Sequence, residues 1–217
     1  DYGQTFAGER YLPTHLIEQL GVPSLLAVVP DEQGVERYAV FEFADGSSPV
    51  WSEAISAELV RQLAIVHSVV GGAPGPVGKA SSAVQYRNRE SPRAFVLGLF
   101  SVEIARFASE SSVSRALARE FTRIVDRKLP QYRPEDLVLC HGDIRRENLL
   151  WSTNRALRLI DWEAARFRVA ASDFNQLGVN WLSAVEFESF VAAYAVKTVR
   201  DPIGFHQDVL LHRLLWH

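Results

Sequence analysis

Three of the side chains that carry oxygen ligands between residues 137 and 163 have a spacing that could serve chemistry. Asp143 follows a short apolar run, Asn148 comes after four intervening residues, and Asp161 lies thirteen positions further on. An amide oxygen and a carboxylate suit Mg²⁺, which keeps several waters and shares its coordination shell with substrate phosphates. A further carboxylate beside these two metal ligands can act as the base for an attacking hydroxyl. These residue types therefore predict a site for phosphoryl transfer, provided that the fold brings them together.

A predicted β-hairpin brings two of these side chains together. Two short apolar runs flank a polar turn, which is the pattern of two antiparallel strands. If Leu150 pairs with Leu159, Asn148 faces Asp161, and directly opposed Cβ atoms lie roughly 4.5–5.5 Å apart. The loop that leads into Asn148 carries Asp143 and can hold it nearby. The sequence thus predicts that the three side chains converge at the open end of this hairpin.

The elements that must position this hairpin fall into two parts. The chain begins with a β-rich segment, and a turn-rich stretch then separates it from a mostly helical body. We expect a partial N-terminal lobe with its hinge strand at 1–44, a hinge linker at 45–50 and a helical C-terminal lobe at 51–217. Apolar spacing predicts helices over 9–20, 52–70, 93–108 and 113–128 and again after Phe174, and strands at 25–29, 37–43, 137–140, 149–151 and 157–160.

The spacing of His141-Gly142-Asp143, Asn148 and Ile160-Asp161-Trp162-Glu163 resembles the signature of the aminoglycoside phosphotransferase and choline kinase-like family. The segment 38–46 is similar to the last strand and the hinge of that family's N-terminal lobe. The resemblance extends over roughly 9–180. It implies an α+β, protein-kinase-like two-lobed fold and the transfer of the ATP γ-phosphate to a hydroxyl of a small molecule. ATP and Mg²⁺ are the cofactors that it implies.

The resemblance also implies a role for each matching residue. Asp143 would accept the proton of the acceptor hydroxyl, and Arg145 would contact the transferring phosphate. Asn148 and Asp161 would bind Mg²⁺. The remaining matches concern the nucleotide: the main chain at Glu42, Phe43 and Ala44 would bind adenine, and Glu9 takes the place of the helix glutamate that pairs with a phosphate-anchoring lysine.

That lysine has no counterpart in the sequence. The family places a glycine-rich loop and a lysine before the hinge, but Lys79 is the first lysine of this chain. The sequence also begins at Asp1 and contains no methionine. We therefore expect that an N-terminal segment carrying the loop and the lysine precedes residue 1.

Composition excludes several other classes of protein. The hydrophobic fraction of 47% and the charged fraction of 23% are those of a folded globular protein, not of a disordered chain. The formal net charge of −3 gives no basis for binding nucleic acid, and no apolar run is long enough for a membrane span. Cys140 is the only cysteine, which favours a reducing compartment such as the cytoplasm. The expected partner is a small molecule with a hydroxyl acceptor, and the oligomeric state stays open.

Two alternatives concern function. A pseudokinase-like module would bind a nucleotide or another ligand without turnover. The missing lysine favours it, whereas the intact residues Asp143, Asn148 and Asp161 favour an enzyme. The acceptor itself stays open between an aminoglycoside, choline and another metabolite. We expect its pocket between the helices at 93–128 and the C-terminal helices. Acidic residues there would attract a cation, although helix surfaces often carry such acids: Glu103, Glu110, Glu186 and Glu188.

Polar residues beside the signature have structural explanations. His141 is expected to brace the loop through hydrogen bonds, and His67 to be a core residue with its hydrogen bonds satisfied. Cys140 is expected to be a small buried side chain. Asp173 either orients the catalytic loop or caps the helix that follows it.

Overall fold

Helices account for most of the computed structural model, which describes residues 10, 12–71, 75–76, 91–109, 111–154, 156–177 and 181–213. The helices are α1 (Thr14–Leu20), α2 (Glu53–Val66), α3 (Pro92–Ala108), α4 (Ser112–Lys128), α5 (Ala184–Lys197) and α6 (Pro202–Arg213). The strands are β1 (Leu25–Pro30), β2 (Glu36–Phe41), β3 (Gly75–Pro76), β4 (Leu137–Cys140), β5 (Leu149–Trp151), β6 (Leu157–Leu159) and β7 (Arg166–Val169). The predicted α+β class is confirmed. No described helix is long and apolar enough to cross a membrane.

Serine side chains begin the long helices. The hydroxyls of Ser52, Ser91 and Ser111 each accept a hydrogen bond from the backbone amide three residues further on. Such a cap stabilises a helix by about 1 kcal/mol, because it satisfies an amide that has no partner within the helix. Ser183 and Glu186 form a reciprocal capping box at the start of α5. These caps explain why the predicted starts of α2, α3 and α4 agree with the structure to within a residue or two.

The N-terminal hairpin is stabilised by its turn. β1 and β2 pair antiparallel, and the Asp31 carboxylate accepts hydrogen bonds from the backbone amides of Gln33 and Val35. The Arg37 guanidinium, hydrogen-bonded to the same carboxylate, lowers the pKa of Asp31, and the amide of Val35 lowers it further. Gly34 lies at φ 78°, a conformation that favours glycine. The two strands predicted at 25–29 and 37–43 therefore form a hairpin, which precedes the linker.

Helix α1 is shorter than predicted. Pro13 stands immediately before it, because proline lacks the amide that a helix interior requires, and Gly21 ends it at φ 60°. Its buried side chains, Leu16 and Leu20, join the main core.

The linker lies against the C-terminal part of the chain. Ser47 and Trp151 form an antiparallel bridge with hydrogen bonds in both directions, at 3.2 and 2.9 Å. Arg146 donates from Nε to the carbonyl oxygen of Pro49 at 3.1 Å. Arg158 pairs with Asp45 at 3.0 Å. The segment 45–50 is thus fixed to the hairpin that carries the predicted metal site.

The core has two parts. The larger part joins α2, α5 and the segment after β7, where the aromatic rings of Phe174, Phe190 and Tyr194 are completely buried. Each such side chain contributes about 1.5–3 kcal/mol through burial. A second cluster joins α3, α4, α6 and the strands β4 and β7: Val96, Phe100, Val125, Leu129, Leu137, Val169 and Leu211.

The predicted hairpin forms, but its register is one residue away from the prediction. Leu149 pairs with Leu159, so the pairing of Leu150 with Leu159 was wrong. The turn sets this register, because the backbone amide of Ser152 donates to the carbonyl of Ala156 at 3.0 Å. Asn148 therefore lies opposite Ile160, whose amide donates to its carbonyl oxygen at 3.0 Å.

Strand β7 was not predicted. It pairs antiparallel with β4 on one side and with β3 on the other, so the strand order is β3-β7-β4. Its sequence, Arg-Phe-Arg-Val, is short and half basic, which gives little apolar pattern. The pairing nevertheless positions the site, because it fixes β4 immediately before His141.

Candidate active site

Tight packing determines the shape of the loop after β4. Gly142 lies at φ 86° against the backbone of Ala164. A Cβ atom at Gly142 would lie 2.4 Å from the Ala164 carbonyl oxygen, which is closer than any real contact of this kind. Only glycine combines this φ angle with this approach. The loop then enters a short 3-10 turn, Arg146–Asn148, which leads into β5.

Asp173 fixes the start of this loop through hydrogen bonds. Its completely buried carboxylate accepts hydrogen bonds from the backbone amides of His141 and Gly142 at 2.8 and 2.7 Å. His67 Nε2 lies 3.0 Å from the same carboxylate, and its Nδ1 lies 2.6 Å from the Tyr194 hydroxyl oxygen. Burial alone would raise the pKa of Asp173. The hydrogen bond and the charge of His67 outweigh this effect, together with the contacts of the loop, so the pKa of Asp173 is lowered. Asp173 thus orients the loop, and His67 is a core residue with satisfied hydrogen bonds.

His141 has a bracing position, as expected. Its ring is completely buried, and Nε2 lies 2.9 Å from the carbonyl oxygen of Ile160. Burial lowers the pKa of His141, against the opposing charges of Asp173, Asp143 and Asp161. The ring packs against Trp162, with centroids 4.5 Å apart. His141 therefore links the loop to the end of β6.

The Asp143 carboxylate has two described partners, and both use the same oxygen. Asn148 Nδ2 donates to Asp143 Oδ2 at 2.8 Å and to the Asp143 carbonyl at 3.0 Å. Arg145 Nε lies 3.1 Å from Oδ2 as well, and its side chain is half exposed. Within the described residues, Oδ1 of Asp143 has no hydrogen bond, so it is available to an incoming hydroxyl.

Asn148 and Asp161 offer the oxygen atoms that a hard cation requires. The two donated bonds of Asn148 use its nitrogen, and no hydrogen bond among the described residues uses its side-chain oxygen. Asp161 is exposed and lies at φ 65°, immediately beyond the hairpin. No basic side chain of the described chain pairs with its carboxylate. An uncommitted amide oxygen and an uncommitted carboxylate fit Mg²⁺.

A cavity of about 540 Å³ is lined by the predicted hinge residues and by Asp161. Glu42, Phe43 and Ala44 line one side of it, and Asp161 and Glu163 line another. The backbone amide of Glu42 already donates to the Ser24 carbonyl at 2.9 Å. Further walls are apolar and were not predicted, because helix and strand ends carry no chemical signal in a sequence: Leu12, Ile17, Val22, Leu150 and Ile160.

Of the other predicted residues, several lie outside the part of the chain that the structure describes. Glu9 lies outside the described residues, as do Glu110 and the side chain of Glu103. Glu186 caps α5, and its hydrogen bonds from the Ser183 side chain and backbone lower its pKa. Glu188 is exposed. The residues Glu42, Phe43, Ala44 and Asp161 thus line one cavity, whereas Asp143, Arg145 and Asn148 are not among its described lining residues. Glu186 caps a helix.

Comparison with known proteins gives consistent matches. Residues 7–205 match the model of APH, the phosphotransferase enzyme family. Among solved structures, an ethanolamine kinase from Plasmodium vivax is 13% identical with a TM-score of 0.59, covering 93% of this chain and 61% of the kinase. A choline kinase, LicA from Streptococcus pneumoniae, is 18% identical with a TM-score of 0.57, covering 100% of this chain and 71% of that one.

A third match is an APH(2") enzyme in its complex with GDP and kanamycin. It is 14% identical with a TM-score of 0.67, and the alignment covers 98% of this chain and 73% of that one. This chain therefore spans less than two thirds of the ethanolamine kinase and somewhat more of the other two. The predicted fold is the one that these structures share. Since the family model covers most of the sequence, the chain belongs to the phosphotransferase enzyme family.

Proposed function

We propose that this protein is a kinase that transfers the γ-phosphate of ATP to a hydroxyl of a small molecule. The observation that carries the proposal is the cavity of about 540 Å³, which has the hinge residues on one side and Asp161 on the other. Its apolar walls suit a purine base, and its lining includes Asp161, the proposed metal ligand. Family membership and the nucleotide in the matched APH(2") complex support the same reading.

Asp143 is the proposed base. Its free Oδ1 accepts the proton of the acceptor hydroxyl and orients the oxygen toward the γ-phosphorus. The new bond joins the acceptor oxygen to phosphorus while the bond to the β-phosphate oxygen breaks, so the products are ADP and a phosphate ester. Asn148 keeps the carboxylate in place through its bond to Oδ2. The rigid loop, fixed by Asp173, supplies the positioning on which this chemistry depends.

Arg145 is the proposed phosphate contact. In the structure its guanidinium pairs with Asp143 Oδ2 at 3.1 Å. Because the side chain is half exposed, it can turn from the carboxylate to a phosphate oxygen, where its planar fork suits the geometry. Asn148 and Asp161 would hold Mg²⁺, which when bound neutralises charge on the β- and γ-phosphates.

The matched structures name different small molecules: ethanolamine, choline and kanamycin. We propose a small hydroxyl compound of this kind as the partner. The experiment is steady-state ADP formation by the purified protein with ATP, Mg²⁺ and a panel of kanamycin, choline, ethanolamine and a macrolide. One acceptor is expected to raise ADP formation clearly above the rate without acceptor.

The variant Asp143→Asn then tests the base. Loss of the base is expected to lower kcat by about 10²–10⁴-fold while nucleotide affinity changes little. Glu147→Gln is the matched control, since Glu147 is an exposed acid of the same loop, and it should keep its activity. Full turnover by Asp143→Asn would refute the assignment. Nucleotide binding without turnover on any acceptor would favour the pseudokinase-like alternative.

A further inference from the structure

A second cavity, of about 380 Å³, lies between α3 and the segment that begins with β7. Phe95, Leu99 and Val102 of α3 form one wall at helical spacing, so they present one stripe of the helix. The neighbouring stripe, which carries Val96 and Phe100, packs into the second core cluster. The volume lies within the range of roughly 300–1,000 Å³ that is typical of small-molecule sites.

Two buried polar atoms in the wall of this cavity have no hydrogen-bond partner in the described part of the chain. They are Nε of Arg168, a donor, and Oδ1 of Asn175, an acceptor. Asn175 is only 4% exposed. Leaving such a group unpaired costs about 1–3 kcal/mol, and native proteins contain few examples. A donor and an acceptor in one pocket wall therefore indicate that a ligand supplies their missing partners.

The charge of the cavity determines the sign of that ligand. Arg168 forms no ion pair with a carboxylate in the described part of the chain, and the described lining residues include no aspartate or glutamate. His212, which is also in the wall, stays neutral: burial first, and then the charge of Arg168, lower its pKa to about 3. The cavity thus combines the partly buried guanidinium of Arg168, and a second arginine, Arg106, with the apolar side chains of α3.

We propose that this cavity binds a small organic anion, in which a carboxylate faces Arg168 and an apolar body lies against α3. The cavity lies between α3 and α6, the region where the acceptor pocket was expected, but it shares no described lining residue with the nucleotide cavity and includes none of the loop 141–148. The preference for an anion goes beyond the proposed kinase activity and does not depend on it. An aliphatic carboxylate of about six carbons fits the volume.

The experiment is isothermal titration calorimetry of the full chain, without nucleotide, using hexanoate as the probe. Hexan-1-ol and hexylamine have the same apolar body with a neutral or a cationic head. Hexanoate is expected to bind saturably, and at least about tenfold more tightly than either analogue, because a hydrogen bond to a charged partner is the stronger kind. Equal or tighter binding of hexylamine, or no saturable binding of hexanoate, would overturn the proposal.

Variants then place the probe in the cavity. Arg168→Gln removes the charge and is expected to weaken hexanoate binding at least about tenfold. Arg166→Gln, two residues away on the same strand and absent from the described lining, is the matched control with unchanged binding. Leu99→Trp keeps Arg168 but fills the cavity, so it must also abolish binding.

The proposed kinase activity is tested separately. Asp143→Asn should bind hexanoate as the wild type does, so loss of catalysis leaves this measurement intact. Circular dichroism confirms that each variant is folded, and Leu99→Trp decides the question if Arg168→Gln does not fold. Hexanoate binding that survives in both cavity variants would show that the probe binds elsewhere, and would overturn the site.

Discussion

The buried carboxylate of Asp173 accepts a hydrogen bond of 2.8 Å from the backbone amide of His141. With the adjacent amide of Gly142 and the ring of His67, this bond fixes the loop from inside the core. The loop that carries Asp143 therefore obtains its shape from the packed interior of the protein. Rigid support of this kind is what a positioning mechanism requires.

Replacing Asp173 with asparagine should destabilise the protein by about 3–5 kcal/mol, because the change leaves buried donors without their charged partner. Chemical denaturation at neutral pH measures this loss. Asp45→Asn is the control: Asp45 pairs with Arg158 at the surface, and its loss should cost less than about 1 kcal/mol. Similar losses for both variants would contradict the central role of Asp173.

The same carboxylate predicts a pH dependence. The pKa of Asp173 is lowered in the folded state, so the stability that it contributes is complete above its unfolded pKa of about 3.9. That contribution is lost as the pH falls through the lower, folded value. The free energy of unfolding of the wild type should therefore decrease below about pH 4 more steeply than that of Asp173→Asn. Parallel curves would contradict this linkage.

Replacing Gly142 with alanine should damage both stability and turnover. The new Cβ atom would meet the Ala164 carbonyl at 2.4 Å, and the main chain cannot rotate away as a side chain can. Displacing the loop by about 1 Å is expected to lower kcat about 100-fold. Gly34→Ala is the matched control, since Gly34 has φ 78° but no atom within 4 Å of its Cβ position. It should lose about 1–2 kcal/mol and keep its kcat.

Asp161→Asn should raise the Mg²⁺ concentration needed for half-maximal activity by about tenfold or more. The carboxylate is the charged member of the proposed ligand pair, so its neutral amide binds a hard cation more weakly. Magnesium titration at saturating ATP provides the measurement. Glu163→Gln removes an exposed acid of the same cavity and should change the midpoint by less than about threefold. An unchanged midpoint in Asp161→Asn would exclude it as a ligand.

The C-terminal helix should have opposing pH effects on stability. Burial raises the pKa of Asp208 to about 6, and burial lowers that of His212 to about 3. The folded state thus binds the Asp208 proton more tightly than the unfolded state. The contribution of Asp208 to the free energy of unfolding therefore decreases from about pH 4 to pH 6. His212 protonates only in the unfolded state over about pH 3 to 6.5, so its contribution increases with pH over that range.

Asp208→Asn should remove the first effect and leave the second. The free energy of unfolding should then rise between pH 4 and 6 with a slope of up to about 1.4 kcal/mol per pH unit. Denaturation curves at several pH values measure this slope. In His212→Gln, the free energy of unfolding should instead decrease over the same pH range. Tyr132, which donates a hydrogen bond to Asp208 in the wild type, is not substituted in either variant. A slope that is the same in the wild type and in both variants would contradict these two pKa shifts.

The sequence predicted those parts of the fold that local chemistry determines. Ser52, Ser91 and Ser111 stand where the helices begin, and Gly34 and Asp31 specify a hairpin turn. The register of the β5–β6 hairpin was missed because the hydrogen bond of Ser152 decides it, and an apolar pattern of three residues fits either register. Strand β7 depends on its neighbours, so its own residues gave little indication.

The candidate site divides in the same way. The sequence was sufficient to single out Asp143, Asn148 and Asp161, because a base and the ligands of a hard cation require carboxylate or amide oxygens. The distant partners were less visible, because contacts across long sequence separations are set by the tertiary fold. Asp173 had two open readings in the sequence, and only its hydrogen bonds to the loop amides select one of them.

The burial of Cys140 provides a practical tool. This thiol is completely inaccessible, and burial raises its pKa, so reagents that attack thiolates should not react with it in the folded protein. It is also the chain's only cysteine. Cysteines introduced at Leu26 and Val185, which are 65% and 73% exposed, can therefore carry a donor and an acceptor fluorophore without removal of the native thiol. Such a labelled protein would report the distance between the N-terminal hairpin and α5 as nucleotide is added.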